Sequence, residues 1–252
     1  MRVRVLGCSG GSAPDHHPTC FLVDGKVAFD GGALTSTLAE DEQEDVDHVV
    51  LSHAHLDHVA ELPFFLDNRF ARQTRPINFY GHAQTIEDLK DGIFNNRIWP
   101  DFTQLKNRKS VALTLQVVEP GRPFSVGGLT LTPNAMEHPV PCLGYLVESG
   151  ASSFYLAGDT GSADGVKRAV AGMPLLKDLI IEVSWPDRMR DLARTAGHLV
   201  PADLKAAWPL HPSARVLITH IKPFYRDEVI AELLALGLPH TVILDDGMTF
   251  TV

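Results

Sequence analysis

The sequence predicts an α/β fold in which strands and helices interleave along the whole chain. Three observations predict it. Short apolar runs bounded by Gly, Pro, Asn or Asp recur from the first residues to the last. Stretches with apolar residues on one helical face lie between them. Each half of the chain also holds runs close enough to pair as hairpins. At 252 residues, with 44% hydrophobic and 21% charged residues, the composition is that of a globular chain able to bury a sizeable core. A single domain over residues 1–252, with a helical insertion at about 60–107, is the expectation.

Residues 2–6 alternate as a strand, and 19–30 hold the next strands. Between them, Gly7 to Pro18 is a Gly/Pro-rich loop. Its Gly10-Gly11 is either a plain turn or a backbone cradle for an anion, and His16 and His17 are candidates for a pocket rim. Asp30-Gly31-Gly32 closes the early strands. Residues 33–42 carry Ala33, Leu34 and Leu38 on one helical face, and 46–51 form a buried strand. Helical pattern covers 62–66 and 85–94, with a strand at 77–80. Asn95 to Phe102 mixes aromatics with helix breakers. Strands follow at 111–118 and 129–132, with a turn-rich stretch at 120–128, and a hairpin pair at 143–148 and 153–157. The remainder reads as helix 162–171, strand 179–183, loop 184–198, helix 201–208, strand 215–219, helix 226–236 and closing strands in 241–251.

The net charge is −9 with a sequence pI near 5.7. A chain this acidic has no bulk electrostatic grip on nucleic acid, and the basic run Lys106-Asn107-Arg108-Lys109 reads as a solvated loop. No apolar run reaches the roughly 18 residues of a membrane span, and the N-terminus has no signal-peptide pattern. The three cysteines, Cys8, Cys20 and Cys142, form no CxxC and read as reduced thiols, which makes the cytoplasm the expected location.

Chemistry concentrates in His53-Ala54-His55-Leu56-Asp57-His58. Neutral imidazoles and carboxylates are the donors a borderline-soft divalent metal takes. On an extended segment residues 53 and 55 point to one side, so they can share a metal. Asp57 and His58, beyond a bend, can reach a second one. His138, Asp159 and His220 each follow a predicted strand, as a site on one rim of a sheet requires.

This segment resembles the HxHxDH signature of the metallo-β-lactamase superfamily, and the other candidates follow in that family's order. The resemblance implies an αββα sandwich of two mixed sheets flanked by helices. It also implies a ligand set: His53, His55 and His138 on one metal, Asp57, His58 and His220 on the other, and Asp159 bridging. The expected cofactors are two divalent ions, zinc first, with manganese or iron accepted by the same donors. In phosphodiesterase members, ribonuclease Z among them, a Gly-His segment after a Glu-bearing strand supplies a histidine facing the phosphate. Gly197-His198 and Glu182 match it. The resemblance thus implies a metal-bridging hydroxide attacking a phosphodiester, with Asp57, His198 and Glu182 carrying catalysis.

The segment His53 to Val59, together with Ile98-Trp99-Pro100-Asp101-Phe102, is most similar to class II 3′,5′-cyclic nucleotide phosphodiesterases. A small phosphodiester such as cyclic AMP or cyclic GMP is then the expected substrate, with Trp99 and Phe102 as candidates to stack a base. Ala60-Glu61-Leu62-Pro63 departs from that family's run of small residues. Two alternatives stay open: a ribonuclease Z-like tRNA 3′ endonuclease, and a glyoxalase- or lactonase-type hydrolase of thioesters or lactones. The acidic charge and the lack of a basic, Gly-rich arm weigh against tRNA. No membrane partner is expected, and the resemblance suggests a homodimer.

Overall fold

The computed structural model describes residues 1–252. Fourteen strands form two seven-stranded sheets. The first contains β1 (Arg2–Gly7), β2 (Cys20–Val23), β3 (Val27–Phe29), β4 (His48–Val50), β5 (Ile77–Gly81), β6 (Leu113–Val117) and, at its edge beside β1, β14 (Thr249–Thr251). The second contains β7 (Phe124–Val126), β8 (Leu129–Met136), β9 (Cys142–Ser149), β10 (Ser152–Leu156), β11 (Asp178–Glu182), β12 (Arg215–Thr219) and β13 (Thr241–Ile243).

The two sheets share one plan. In the first, β14-β1-β2-β3 pair antiparallel and β3-β4-β5-β6 pair parallel. In the second, β7-β8-β9-β10 pair antiparallel and β10-β11-β12-β13 pair parallel. The parallel connections run through helices, which must lie on the outer faces.

The period-two alternation of the strands explains the layering. Val3, Val5, Phe21, Val23, Val27, Phe29 and Val50 of the first sheet meet Leu131, Tyr145, Phe154, Ile180 and Leu217 of the second in an inter-sheet core. Their neighbours face the other way. Leu22, Val49, Leu51 and Phe79 pack on Leu62, Phe65 and Leu89 from the helices Leu62–Phe70 and Ala83–Gly92. Leu179, Ile181, Val216 and Ile218 pack on Val166, Leu204 and Val229 from the helices Ala163–Val170, Pro201–Ala207 and Arg226–Leu236. The result is the αββα sandwich, two mixed sheets between helical layers.

Several local expectations need correction. The turn-rich stretch 120–128 contains β7, joined to β8 by Gly127-Gly128 with φ of 57° and 85°. Positive φ at both central residues is what a two-residue hairpin turn demands. Residues 33–42 form two short helices, Leu34–Thr37 and Glu40–Asp45, because Leu38 and Ala39 are extended between them. The loop 184–198 contains a helix, Arg190–Ala196, ended by Gly197 in the left-handed conformation. The stretch 60–107 supplies two outer helices and β5, the strand expected at 77–80, which lies inside the first sheet. No helix is long and apolar enough to cross a membrane.

Candidate metal centre

The C-terminal ends of the parallel strands of both sheets meet at one rim, and the candidate side chains leave from there. β4 runs into Ser52 and His53, β8 ends just before His138, β10 just before Asp159, and β12 delivers His220 directly. His55 precedes a one-turn helix, Leu56–Val59, which carries Asp57 and His58. Asp30 and His220, at strand ends, hold φ of 59° and 63°. Left-handed backbone at residues other than glycine costs about 1–3 kcal/mol and clusters at functional sites.

All seven proposed ligands converge. Donor atoms of His53, His55, His138 and Asp159 lie within 4.8 Å of one another, as do those of Asp57, His58 and His220. The Oδ2 atom of Asp159 stands between the two groups, 3.6 Å from His53 Nε2 and 3.3 Å from both His58 Nε2 and His220 Nε2. His138 Nε2 is 3.3 Å from His55 Nδ1, His58 Nε2 is 3.2 Å from His220 Nε2, and Asp57 Oδ2 is 3.4 Å from His220 Nε2. A tetrahedral ion bound at about 2.0–2.1 Å holds its ligands about 3.3 Å apart, so the donors stand at the edges of such polyhedra. His53, His58, His220 and Asp159 are buried, while His55, Asp57 and His138 are partly exposed and line the opening.

The donor chemistry fits divalent ions. The buried Nε2 of His53 has no hydrogen-bond partner, a costly state for a polar atom unless a ligand meets it. The far nitrogens are occupied instead. His138 Nδ1 donates to the Gly197 carbonyl at 3.0 Å, and His58 Nδ1 to Asp30 Oδ2 at 2.7 Å. Such outer hydrogen bonds commit Nδ1 and orient the ring, so that Nε2 is the nitrogen left to meet an ion.

Two acidic relays organise these rings. Buried Asp30 accepts the Ser52 amide and hydroxyl, both at 2.8 Å, and Ser52 Oγ in turn lies 3.0 Å from His53 Nδ1. Buried Glu182 accepts the Ser184 hydroxyl at 2.6 Å, and Ser184 Oγ lies 2.9 Å from His220 Nδ1. Glu182 also accepts His198 Nδ1 at 2.7 Å and the Thr160 amide at 2.9 Å. Ser52 and Ser184 were not singled out, although each stands one or two residues from a recognised group.

Charge follows the same plan. Burial opposes ionisation of Asp159 and Asp57, yet the imidazoles of His220 and His58 hold both carboxyls below the usual carboxylate range. Burial pushes His53, His55 and His138 down, toward the neutral form that ligates. His58 goes the other way: burial opposes its charge, but Asp159 and Asp30 outweigh it and the ring keeps a proton in the metal-free chain.

His198 stands at the edge of this cluster, its ring stacked on that of His220 at 5.2 Å and edge-on to that of His138 at 5.2 Å. Its Nδ1 is engaged by Glu182, and its Nε2 has no protein partner. The loop after β1 also reaches the rim, where the Cys8 carbonyl accepts the His220 amide at 2.7 Å. His17 turns to Asp246, Nδ1 to Oδ2 3.0 Å. His16 is half-buried in the tight turn with Ala13. Phe102 is only 2% exposed and packs edge-on against Phe70 and Phe94, so it is a core residue and has no face for a base. Trp99 is half-buried, edge-on to Phe64 at 5.4 Å.

Comparison with known proteins agrees with this architecture. The chain is similar over its full length to an uncharacterized protein of Mycobacterium leprae, 30% identical, covering 89% of that protein. It is 30% identical to a Yersinia pestis protein named as a probable 3′,5′-cyclic-nucleotide phosphodiesterase, over 73% of this chain and 59% of that one. A ribonuclease Z of Bradyrhizobium is 25% identical over 82% of each chain. Among solved structures, unliganded yeast PDE1 superposes with a TM-score of 0.84 at 19% identity, over 100% of this chain and 99% of that one, a likeness of fold. Residues 20–221, which span every candidate ligand from His53 to His220, match the model of the beta-lactamase superfamily domain, and the chain belongs to that superfamily.

Proposed function

We propose that the chain is a dinuclear metal-dependent phosphodiesterase acting on a small phosphodiester, with a 3′,5′-cyclic nucleotide as the candidate substrate. His53, His55 and His138 would hold one ion, Asp57, His58 and His220 the other, and Asp159 both. Divalent ions held there would supply an activated water as nucleophile and spread the negative charge that grows on phosphorus.

The observation that carries the reading is the His198–Glu182 pair. In this assignment seven donors serve the two ions and His198, whose donor atom also lies within 4.8 Å of those of Asp159 and His220, is not among them; one of its nitrogens is fixed at 2.7 Å by a buried carboxylate. A ring held in this way presents its other N–H to the cleft. There it can hydrogen-bond a phosphoryl oxygen or give its proton to the leaving alkoxide, help worth about 10²–10⁴-fold. A thioester or lactone has no anionic oxygen of this kind in its ground state. The similarity to the Yersinia pestis protein points to the cyclic nucleotide within the phosphodiester class.

The test is a metal-reconstituted assay that compares bis-p-nitrophenyl phosphate, cyclic AMP, a tRNA precursor and a lactone or thioester. Cleavage of cyclic AMP and the generic diester is expected. Cleavage of the lactone or thioester alone overturns the phosphodiester reading, and preference for the tRNA precursor points to the ribonuclease Z-like reading. His198→Ala is expected to keep both metals and lose rate. Loss of metal instead would reassign His198 as a ligand.

A further inference from the structure

We propose that Lys222 holds a non-bridging oxygen of the substrate phosphoryl group, on the Asp57 side of the centre. The inference rests on the phosphodiesterase reading above.

Lys222 lies two residues beyond His220, on the same rim. Its Nζ is 3.6 Å from Asp57 Oδ2, the carboxylate oxygen that is itself 3.4 Å from His220 Nε2. The rest of the residue is tied down. Its amide donates to the Ser184 carbonyl and its carbonyl accepts the Tyr225 amide, both at 3.0 Å. Its ammonium lies 5.8 Å from the Trp185 ring centroid, and its side chain is only 22% exposed.

Held in this way, the ammonium makes no hydrogen bond to protein, although it has three N–H donors. Two other lysines do bond to protein: Lys167 Nζ donates to the Ala207 carbonyl at 2.8 Å, and Lys177 Nζ to Ser152 Oγ at 3.2 Å. Asp57 is the one anion beside Lys222, and Asp57 is a proposed ligand. Once its charge is shared with an ion, the ammonium is left with donors and no acceptor. His198 stands on the same rim, its ring stacked 5.2 Å from that of His220, two residues before Lys222. Lys222 and His198 thus both flank His220. A phosphodiester, with two non-bridging oxygens, offers the acceptor that the ammonium lacks. The competing role for Lys222 is that of a counter-ion to Asp57, serving the ligand and not the substrate.

The experiment uses the full-length, metal-loaded protein with Lys222→Met, which keeps an unbranched stem over Trp185, and Lys222→Arg. Metal content is measured by mass spectrometry, inorganic phosphate binding by calorimetry, and kinetics on bis-p-nitrophenyl phosphate. Lys222→Met is expected to retain its metals, bind phosphate about tenfold more weakly and raise KM more than it lowers kcat. Lys222→Arg, still cationic, is expected to recover most of the phosphate affinity. Phosphate binding no weaker in Lys222→Met than in the wild type overturns the proposal, as does loss of metal from Lys222→Met. A wild type that binds phosphate through Lys222 yet hydrolyses no diester refutes the phosphodiesterase reading and leaves the phosphate contact standing.

Discussion

The carboxylate of Asp30, at the end of β3, sits 2.7 Å from Nδ1 of His58 and also takes the amide and hydroxyl of Ser52, next to His53. One buried acid thus sets the orientation of a ring from each proposed metal group. Asp30→Asn keeps the size and removes the charge. Metal affinity is expected to fall by about 10–100-fold, the usual effect of losing an outer hydrogen-bond partner. Calorimetric titration with zinc checks it. Unchanged affinity would mean that the backbone alone fixes the two rings.

Ser184 plays the matching part in the second sheet, between Glu182 and His220. Ser184→Ala leaves Nδ1 of His220 without its 2.9 Å partner and Glu182 without its 2.6 Å donor, while the direct bond from His198 to Glu182 stays. Metal affinity is expected to fall, again by about 10–100-fold, and the rate at saturating metal to stay close to wild type. His198→Ala should show the reverse pattern, with metal kept and rate lost. If both variants lose rate with metal retained, Glu182 acts on the two histidines as one unit.

The sequence made the sandwich and the site legible to different degrees. The strands that fill the core were readable because their apolar residues run continuously, as in Leu179-Ile180-Ile181. The candidate ligands were readable because His53 to His58 is dense and the later candidates each follow a strand. The common plan of the two sheets was not, because it is a match of strand order and pairing with no period in the residues. The β7–β8 hairpin was missed although Gly127-Gly128 marks it, since Pro120 to Gly128 as a whole has turn composition. Ser52 and Ser184 escaped notice because serine is common and only the acid beyond each hydroxyl reveals its role. Phe102 reads in the sequence as a candidate base platform. Sequence shows an aromatic but not which way it faces, and here it faces the core.

Gly32 tests how tightly the ligand loop is packed. A Cβ there would lie 2.4 Å from the Asp57 carbonyl and 2.8 Å from the Thr19 carbonyl, both backbone atoms. Gly32→Ala must therefore displace the segment that carries Asp57, at about 1–3 kcal/mol for overpacking, with weaker metal binding. Gly92, the last residue of its helix, has open space around its Cβ position. Gly92→Ala is expected to be neutral or to stabilise by up to about 1 kcal/mol. Thermal unfolding of both variants, with and without zinc, separates the cases. A Gly32→Ala protein with wild-type zinc affinity would show that the Asp57 segment can move without loss.

Metal uptake should release protons, and its pH dependence has a definite sign. In the metal-free chain burial works against a charge on His58, but Asp159 and Asp30 outweigh it, so its pKa is raised above the ordinary histidine value. A raised pKa means the proton is present at neutral pH and leaves only as pH climbs through the higher value. An ion binding at Nε2 must displace that proton, because the other nitrogen is committed to Asp30. Affinity for zinc is therefore expected to rise with pH through and beyond neutrality. Calorimetry in two buffers of different ionisation enthalpy should count about one proton released through this ring. Asp30→Asn removes one of the two charges that hold the proton, so its affinity should depend less steeply on pH even as the affinity itself declines. A zinc affinity that is flat with pH in the wild type would remove His58 from the ligand set.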